Sequence, residues 1–559
     1  MKRNQIFYTL ALLMAALTGT ACEDALTEQP DSYYERKDFF TNADNAGMAV
    51  TGIYNVLPTI YEDKDGMAFP CSDDMYYVSG TGSDNTRRDI AHYTLRPSNQ
   101  WIYTVWKEKY ESINRANYTI DGIEKMKGYA KDEKLRSLVA EAKFLRAQSA
   151  FDLVRYWGDV PFKTTYTTNY EDAYQPRTDR ERIYDQIVDD LTFAKEYTAW
   201  ASSSKTPERA SQGAARALLM RVLLTRAGYS LRMNGNLERP DEGERQRYYK
   251  AVIEEWKAFQ AEGGAHGFYA AGYAELFKGF SAGVLNVQES LFEVAFHYPG
   301  ARGYWGTYIG GVVAPPGLSA DANSVMGRAT GFFRVVPEWR DFYEETDERR
   351  DIAICTYNWN WNTETGTHQK SSLNSVRNWY PGKWRREWMP LGYKDPNITD
   401  INYCYLRYAD VVLMAAEAYN ETGNTPRAWE LLNSVRLRAK ATPITTANYR
   451  TLLKAPKVYD LPYIDDTDET GKFRTALYWE RGFELAFEGQ RKYDLLRWGI
   501  LKEALQLFGE KTSTQINSAT QKFYPAGENF RKGKHELFPI PADELQVNYK
   551  LQNKNNPGY

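Results

Sequence analysis

The sequence has few cysteines, no excess of either charge and no long apolar run. Its 559 residues include four cysteines, and none are spaced as in the CxxC pairs that bind metals. With Cys22 set aside, the odd set Cys71, Cys355 and Cys404 does not make a disulfide framework. Lys and Arg number 70 against 73 Asp and Glu. A strongly basic surface, typical of nucleic-acid binding, is therefore not expected.

Signatures of catalysis and of cofactor binding are also scarce. The chain has no HExxH or Walker sequence, and its five histidines are scattered without ligand spacing. The segment from Asp466 matches the first half of a calcium loop, but Leu477 stands where a bidentate glutamate is required. We interpret that segment as a solvated acidic turn. The sequence predicts no metal, no cofactor and no catalytic residue.

The first residues read as an export signal. Lys2 and Arg3 precede an apolar run over 6–17, and small residues over 19–21 lead to Cys22. The run is shorter than the roughly 20 apolar residues that span a bilayer. We predict a signal peptide over 1–21 with Cys22 as the lipidated first residue of the mature chain. An ordinary secretory signal that happens to contain Cys22 is the alternative.

The mature chain, 22–559, is predicted to be one mainly α unit. Helical periodicity marks about 40–265 and 400–510, where helical hairpins of tetratricopeptide size make a scaffold. About 265–400 is rich in Gly, Pro, Trp and Tyr, which indicates an irregular, loop-rich lobe with short strands. The remainder, 511–559, reads as an extended tail. In one hairpin, Thr425 is placed to cap the second helix and Pro426 to occupy its first position.

Five charged residues recur at three- and four-residue steps near the end of the scaffold. They are Arg481, Glu484, Glu488, Arg491 and Asp494. This spacing predicts neighbours on one helix face. We expect a buried or bridging ion network there, not a catalytic cluster.

Two regions combine aromatic rings with hydroxyl-pairing side chains, as a site for a sugar would require. One is the polar loop that precedes the first long helix, and the other is the lobe. Both are of the loop type that carries function on a rigid scaffold. The candidates are Asp73, Asp74, Tyr76, Arg87, Arg88, Asn99 and Trp101 in the first region and Tyr298, Tyr304, Trp305, Tyr308, Trp359 and Trp361 in the lobe.

Trp359 and Trp361 belong to the segment NWNW. Alternation along a strand would place both rings on one face. That face either packs on the scaffold or forms an exposed strip for stacking. The glycines around the rings of GYWGTY favour an exposed loop for Tyr304, Trp305 and Tyr308.

Several segments together resemble the SusD/RagB family of Bacteroidetes outer-membrane lipoproteins. They are FLRAQSAFDLVRYWGDVP, LRYADVVLMAAEAYNETGN, LNSVRLRA, ERGFELAFEGQRKYDLLRWG, FPIPADEL and the closing NNPGY, in the order of the family. The resemblance implies a tetratricopeptide-like scaffold that binds oligosaccharide without chemistry. It also implies a TonB-dependent transporter of the SusC type as partner, with the SusD-like protein as its lid. Asp74, Arg87 or Arg88, and Trp101 occupy places comparable to the family's ligand contacts.

Glu23 and Asp24, directly after Cys22, resemble the export signal that takes such lipoproteins to the outer leaflet, facing the cell exterior. The leading hypothesis is therefore a surface lipoprotein for glycan capture. A binding subunit for peptides or another non-sugar nutrient, and a secreted glycan hydrolase, are the alternatives.

Overall fold

The computed structural model describes residues 39–77, 85–317, 326–392, 398–452, 467–511 and 524–559. The signal peptide, Cys22 and Asp466 lie outside these ranges. The protein is mainly α, as predicted, and its strands form only two-stranded pairs within the described residues. No helix in this part of the chain is long and apolar enough to cross a membrane.

Helices make up the scaffold and are found from the beginning to the end of the described residues. In chain order they are α1 Ala43–Tyr54, α2 Leu57–Tyr61, α3 Asn85–Ala91, α4 Gln100–Glu124, α5 Glu133–Trp157, α6 Tyr170–Ala173, α7 Arg180–Tyr197, α8 Ala201–Ser204, α9 Gln212–Ala227, α10 Glu242–Glu262, α11 Tyr273–Ser281, α12 Glu338–Phe342, α13 Arg349–Ala353, α14 Tyr408–Glu421, α15 Thr425–Arg438, α16 Tyr449–Leu452, α17 Glu469–Glu484, α18 Arg491–Arg497, α19 Leu501–Lys511, α20 Ala526–Asn529 and α21 Ala542–Val547. A π-helical turn spans Lys64–Ala68.

The strands are short and mostly lie between α11 and α14. They are β1 Met75–Tyr77, β2 Val160–Pro161, β3 Arg177–Thr178, β4 Ser230–Leu231, β5 Leu237–Glu238, β6 Ser290–Val294, β7 Phe333–Val335, β8 Ile354–Cys355, β9 Tyr357–Asn362, β10 Thr367–Ser372, β11 Tyr380–Pro381 and β12 Tyr403–Arg407. The antiparallel pairs are β1–β7, β2–β3, β4–β5, β6–β12, β8–β11 and β9–β10.

The long helices pack in sequence, each against its neighbours. α5 lies between α4 and α7, α9 contacts α7 and α10, and α14 contacts α10, α15 and α17. α5 begins where the Asp132 carboxylate accepts the Leu135 N–H, and it ends at Gly158, whose φ is 72°. Its buried residues occupy nearly every position of its second half, so α5 is a central rod of the core and not an amphipathic surface helix.

The hairpin α14–α15 forms as predicted, but its cap lies one residue earlier. Asn424 is the cap, because its side-chain oxygen accepts the Arg427 N–H, and Thr425 is the first residue of the helix. The Thr425 hydroxyl instead donates to the Asn420 side chain at 2.9 Å. The prediction for Thr425 was therefore wrong by one position, since either side chain can cap a helix.

The charged series near the end of the scaffold forms a buried ion network, but not on one helix. α17 ends at Glu484 and α18 begins at Arg491, so the single face that the spacing predicted is interrupted. The partners come from other elements. The pairs are Arg481 with Asp410 and Asp494, Glu484 with Arg349, Arg407 and Arg438, Glu488 with Lys383 and Arg407, and Arg491 with Asp73.

The end of the chain packs on the scaffold. Trp157, fully buried, donates its indole N–H to the Pro539 carbonyl at 2.9 Å. The Asn556 amide donates to the carbonyls of Trp157 and Phe538 at 2.9 and 2.7 Å. Residues 524–559 therefore close the core beside α5, in short helices and turns, where the sequence predicted an extended tail.

Candidate functional site

The pairing of β1 with β7 joins the two regions that the sequence marked for binding. Met75 lies opposite Val335, and Tyr77 lies opposite Phe333. The chain leaving β1 leads to α3 and α4, whereas the chain entering β7 follows the loop that holds Tyr304 and Tyr308. This long-range pairing brings the segment 85–101 and the described residues 304–317 and 326–332 to one place on the molecule.

The start of α4 fixes Trp101. The Asn99 side-chain oxygen accepts the N–H groups of Trp101 and Ile102 at 3.0 and 3.4 Å, which makes Asn99 the helix cap. The Asn99 amide also donates to the Thr86 carbonyl in α3 at 3.1 Å. Asn99 was a candidate for ligand contact, but both ends of its carboxamide are used in positioning α3 and Trp101.

Arg87 lies against three aromatic rings. Its guanidinium carbon is 4.3 Å from the centre of the Trp101 ring and 5.0 Å from that of Tyr308. The Phe332 ring is 5.7 Å away. Asp63 holds the guanidinium from behind, accepting from Nε at 3.2 Å and from Nη2 at 2.8 Å. Such an arrangement combines cation–π attraction with a charge-assisted pair.

Tyr304 and Tyr308 form a stacked pair next to Arg87. Their ring centres are 4.3 Å apart and their planes differ by 5°. Tyr308 also contacts Phe332, with centres 4.7 Å apart. All of these rings, like Trp101, are half-buried, so part of each stays accessible. We name the set Arg87, Trp101, Tyr304, Tyr308 and Phe332 the Arg87 cluster.

The charges behind the cluster come from the start of the π-helical turn, where Asp63 precedes the turn and Lys64 is its first residue. Asp63 is buried, and burial raises the pKa of its carboxyl although the Arg87 charge opposes the shift. The Lys64 ammonium lies 5.3 Å from the Trp101 ring and pairs with Glu62. Single π-helical turns are found frequently at functional sites. Here the turn places an acid and a cation side by side beneath Trp101.

Asp73 and Asp74 are structural and are withdrawn as ligand contacts. Asp73 is fully buried and forms a two-bond pair with Arg491, Oδ1 to Nε and Oδ2 to Nη2, each at 2.9 Å. Asp74 accepts from the Ser72 hydroxyl at 3.0 Å. Burial, followed by the Asp73 charge, raises the pKa of Asp74 to about 6. Neither carboxylate is accessible to a dissolved ligand.

Tyr76 and Trp305 are also core residues. Tyr76 is 2% exposed and donates its hydroxyl to the Arg377 carbonyl. Trp305 is fully buried, stacks on Tyr403 with centres 4.6 Å apart, and donates to the Tyr61 carbonyl. The glycines of GYWGTY therefore do not expose all three rings. Trp305 anchors the loop, and this contact holds Tyr304 and Tyr308 in place.

Arg88 and Tyr298 lie apart from the contacts of the Arg87 cluster. Both are half-buried, and Arg88 pairs with its neighbour Asp89 at 3.5 Å. Of the two candidate arginines, Arg87 is therefore the one beside Trp101, because the rotation of α3 directs its side chain there.

Trp359 and Trp361 are half-buried in β9, whose partner is β10. The Trp359 indole N–H bonds to Glu387, and the Trp361 ring meets His368 edge-on at 5.0 Å. This hairpin is a second aromatic strip, separate in its contacts from the Arg87 cluster.

Sequence reasoning missed Asp63, Lys64 and Phe332. Phe332 sits next to β7 in the segment GFFRVV, where the pair of rings gives no sign of which one faces the site. The adjacent Phe333 is fully buried. Asp63 and Lys64 belong to EDKDG, which reads as an ordinary polar turn. No local signal distinguishes either segment.

The segment GFSAG over 279–283 has the spacing of a hydrolase nucleophile elbow, but not its geometry. Ser281 ends helix α11 where the motif requires a strand-to-helix turn. It is 1% exposed, and its hydroxyl oxygen accepts the Arg385 N–H at 3.3 Å. Within the described ranges, no three acidic, histidine or cysteine side chains are grouped as a metal site would need.

The packed helices and short strand pairs define a mainly α protein built of helical hairpins. Two family models match the chain, one described as "SusD family" over 288–559 and one as "Starch-binding associating with outer membrane" over 26–224. SusD-like protein P25 of Formosa agariphila is 25% identical, with all of both chains covered.

Solved structures of SusD-like proteins have a similar fold. A SusD homolog from Bacteroides thetaiotaomicron superposes with a TM-score of 0.76 at 26% identity, covering 94% of this chain and 98% of that one. Surface glycan-binding protein A from the same species, solved with laminarihexaose, has a TM-score of 0.64 at 17% identity and covers 92% and 99%. The chain belongs to the SusD/RagB family.

Proposed function

We propose that the protein is a cell-surface lipoprotein that captures an oligo- or polysaccharide at the Arg87 cluster and passes it to a SusC-like TonB-dependent transporter. Binding involves no chemistry. The observation that carries the proposal is the convergence of Trp101 and Tyr308 on the fixed guanidinium of Arg87, with Tyr304 stacked on Tyr308. Each ring is half-buried, and the three come from regions about 200 residues apart in the chain.

The physical basis is the two-sided character of a sugar ring. Its apolar C–H face suits the accessible part of an aromatic ring, and its hydroxyls suit charged and polar groups around that ring. The parallel stack of Tyr304 and Tyr308 gives one rigid platform, and Trp101 gives another. Because Asp63 and the helix cap at Asn99 hold these groups before the ligand arrives, little ordering entropy remains to be lost on binding.

The comparisons support a glycan as the ligand. One family model is described as starch-binding, and a protein with this fold was solved with laminarihexaose. These facts belong to the relatives, and they make starch- and laminarin-derived glucans the first probes for this chain. We further propose that the chain consists of a signal peptide and one mature unit, and that the mature unit is anchored in the membrane by a lipid at Cys22. It would face the cell exterior and act as a lid over the transporter.

Affinity electrophoresis on a panel that includes laminarin and starch tests the site. We expect retardation of the protein by at least one glycan, and its loss in Trp101→Ala and in Tyr308→Ala. Trp361→Ala is the matched control, because it removes a half-buried ring from the β9–β10 hairpin and leaves the Arg87 cluster intact. Circular dichroism of each variant establishes that it is folded.

Other outcomes assign the protein differently. Retardation that survives Trp101→Ala and Tyr308→Ala but disappears in Trp361→Ala would move the site to the hairpin. Calorimetric binding of peptides without any glycan binding would identify a non-sugar nutrient as the ligand. Release of new reducing ends from a glycan by the purified protein would indicate a hydrolase. Co-purification with the transporter tests the delivery step.

A further inference from the structure

A cavity of about 400 Å³ lies beside α4. α4 forms one wall, and the chain from Pro161 to Gln175 forms the other, with Glu544 of α21 at the rim. The aromatic side chains Tyr103, Trp106, Tyr110 and Phe162 line it. This volume lies within the range of ordinary small-ligand sites, about 300–1,000 Å³.

The walls are held by hydrogen bonds that also leave polar groups for a ligand. The Tyr110 hydroxyl donates to the Pro161 carbonyl, and the Asn114 oxygen accepts the Thr167 N–H, both at 2.7 Å. Among the described residues, the Tyr103 hydroxyl and the Asn114 amide nitrogen have no hydrogen-bond partner. The cavity therefore pairs apolar rings with hydroxyl- and amide-type hydrogen-bonding groups.

Three tyrosines stand on the surface at the rim of this cavity. Tyr170 is 75% exposed and Tyr549 is 67% exposed, which is unusual for such large rings. Tyr174 lies between them, with ring centres 5.0 Å from Tyr170 and 5.8 Å from Tyr549. Ala173 and Gln175, on either side of Tyr174, line the cavity itself. The three rings thus continue the aromatic lining out onto the surface.

The charges at the cavity balance. Lys107 and Lys163 supply two cations, and Glu111 and Glu544 supply two anions. Lys163 is paired with Asp172 at 2.8 Å, and Glu111 is paired with Arg115 of α4, so one charge of each sign is already neutralised. The site therefore selects neither sign of charge, and its ring and hydroxyl chemistry suits a neutral, hydroxyl-rich molecule.

We propose that this cavity, with Tyr170, Tyr174 and Tyr549 at its rim, is a second carbohydrate-binding site. The proposal rests on glycan capture as the protein's function and extends it. Trp101 and Asn114 are both in α4, 13 residues apart, which is roughly 20 Å of helix at 1.5 Å per residue. At 3.6 residues per turn the two side chains leave opposite sides of α4. A polysaccharide that runs round the first turn of α4 would engage both sites, and the second contact would raise its avidity over that of a short oligosaccharide.

Calorimetry with laminarihexaose and maltohexaose, followed by affinity electrophoresis on laminarin and starch, tests the second site. We expect two equivalents of a hexasaccharide per chain, and one equivalent for Tyr170→Ala/Tyr549→Ala and for Ala173→Trp. The first variant removes exposed rings, and the second fills the cavity from an exposed position. On the polysaccharide we expect the affinity of both variants to fall by at least about tenfold, the loss of a linked second site. Leu437→Ala, which removes an exposed apolar side chain from α15, is the control.

The outcomes separate this proposal from the proposed function. One equivalent that only Trp101→Ala abolishes would overturn the second site and leave the Arg87 cluster as the site of capture. One equivalent that only the tyrosine variant abolishes would support the second site and remove the Arg87 cluster. Absence of binding by both hexasaccharides and by every glycan of the electrophoresis panel would overturn both. Unchanged glycan binding with lost transporter co-purification in the tyrosine variant would show a protein-docking surface instead, and would also overturn the second site.

Discussion

Arg87 and Arg88 are neighbours of the same type with different environments. Arg87 lies between Asp63 and the rings of Trp101 and Tyr308, and Arg88 pairs with Asp89. A sequence cannot distinguish them, because the rotation of a short helix decides which side chain meets the site. The sequence also could not show the environment of Asp73. Its acidic side chain made it a candidate sugar contact, but in the structure it is buried in an ion pair with Arg491.

Replacing Asp73 by Asn should destabilise the fold without a direct effect on glycan affinity. The change leaves the Arg491 charge buried and unpaired, and breaking such a pair costs about 3 to 5 kcal/mol. Urea unfolding measures the loss. Arg88→Ala is the control, because it breaks a partly exposed pair worth at most about 1 kcal/mol. An equally stable Asp73→Asn protein with lost glycan binding would return Asp73 to the site.

Glu293 should make stability fall as pH rises. Burial raises the pKa of its carboxyl from about 4.5 to about 7. Between these values the folded chain keeps a proton that the unfolded chain has released. The stabilisation is fully present below about pH 4.5 and is lost as pH rises through about 7, a change on the order of 3 kcal/mol.

Urea unfolding at pH 5 and pH 8 measures this effect through Glu293→Gln. The neutral amide should remove most of the difference in stability between the two pH values. Glu364→Gln, at an exposed position, should leave the difference as in the unsubstituted protein. A pH dependence that survives Glu293→Gln would assign the proton to another buried group.

At the scale of elements, the cap at the start of α4 determines where Trp101 lies in the Arg87 cluster. Asn99→Ala removes the cap of α4 and the bond to Thr86, and should cost about 1 kcal/mol in the free energy of unfolding. Because the first turn of α4 carries Trp101, the change should also weaken glycan binding.

Asn42→Ala is the matched control, since Asn42 caps α1 in the same manner through the N–H groups of Asp44 and Asn45. It should cost a similar free energy of unfolding and leave glycan affinity unchanged. Chemical denaturation gives the stability of both variants, and affinity electrophoresis gives binding. Equal glycan affinity in the two variants would show that the cap does not position Trp101.

The positions of the helices could be predicted from local sequence, but the breaks between helices could not. The hairpin α14–α15 was predictable from ETGN and Pro426 because turn and first-turn residues act locally. The break between α17 and α18 was not. The charge spacing from Arg481 to Asp494 fits a continuous helix, whereas in the structure Phe487 has a φ of 63° and Gly489 a φ of 81°. Tertiary ion pairs with Arg407 and Asp73 favour the broken path.

At the scale of the molecule, the chain's end stabilises its centre. Asn556→Ala removes the amide that bonds to the carbonyls of Trp157 and Phe538, and leaves buried acceptors unsatisfied. The cost should be about 1 to 3 kcal/mol. Lys554→Ala, at an exposed position two residues earlier, should have little effect. Thermal unfolding of both variants checks the difference, and equal melting temperatures would show that the tail is not part of the core.

The sequence by itself determined the mainly α class, the helical hairpins, the loop-rich lobe and the two regions from which the rings of the Arg87 cluster come. These depend on local periodicity, turn residues and composition, which act over a few residues. Only the tertiary structure decided that Trp101 and Tyr308 meet at Arg87, with Tyr304 stacked on Tyr308, while Trp305 and Asp73 are buried. That choice depends on the pairing of β1 with β7, a contact between residues more than 250 positions apart. Such a contact is set by the packing of the whole core, and no local pattern encodes it.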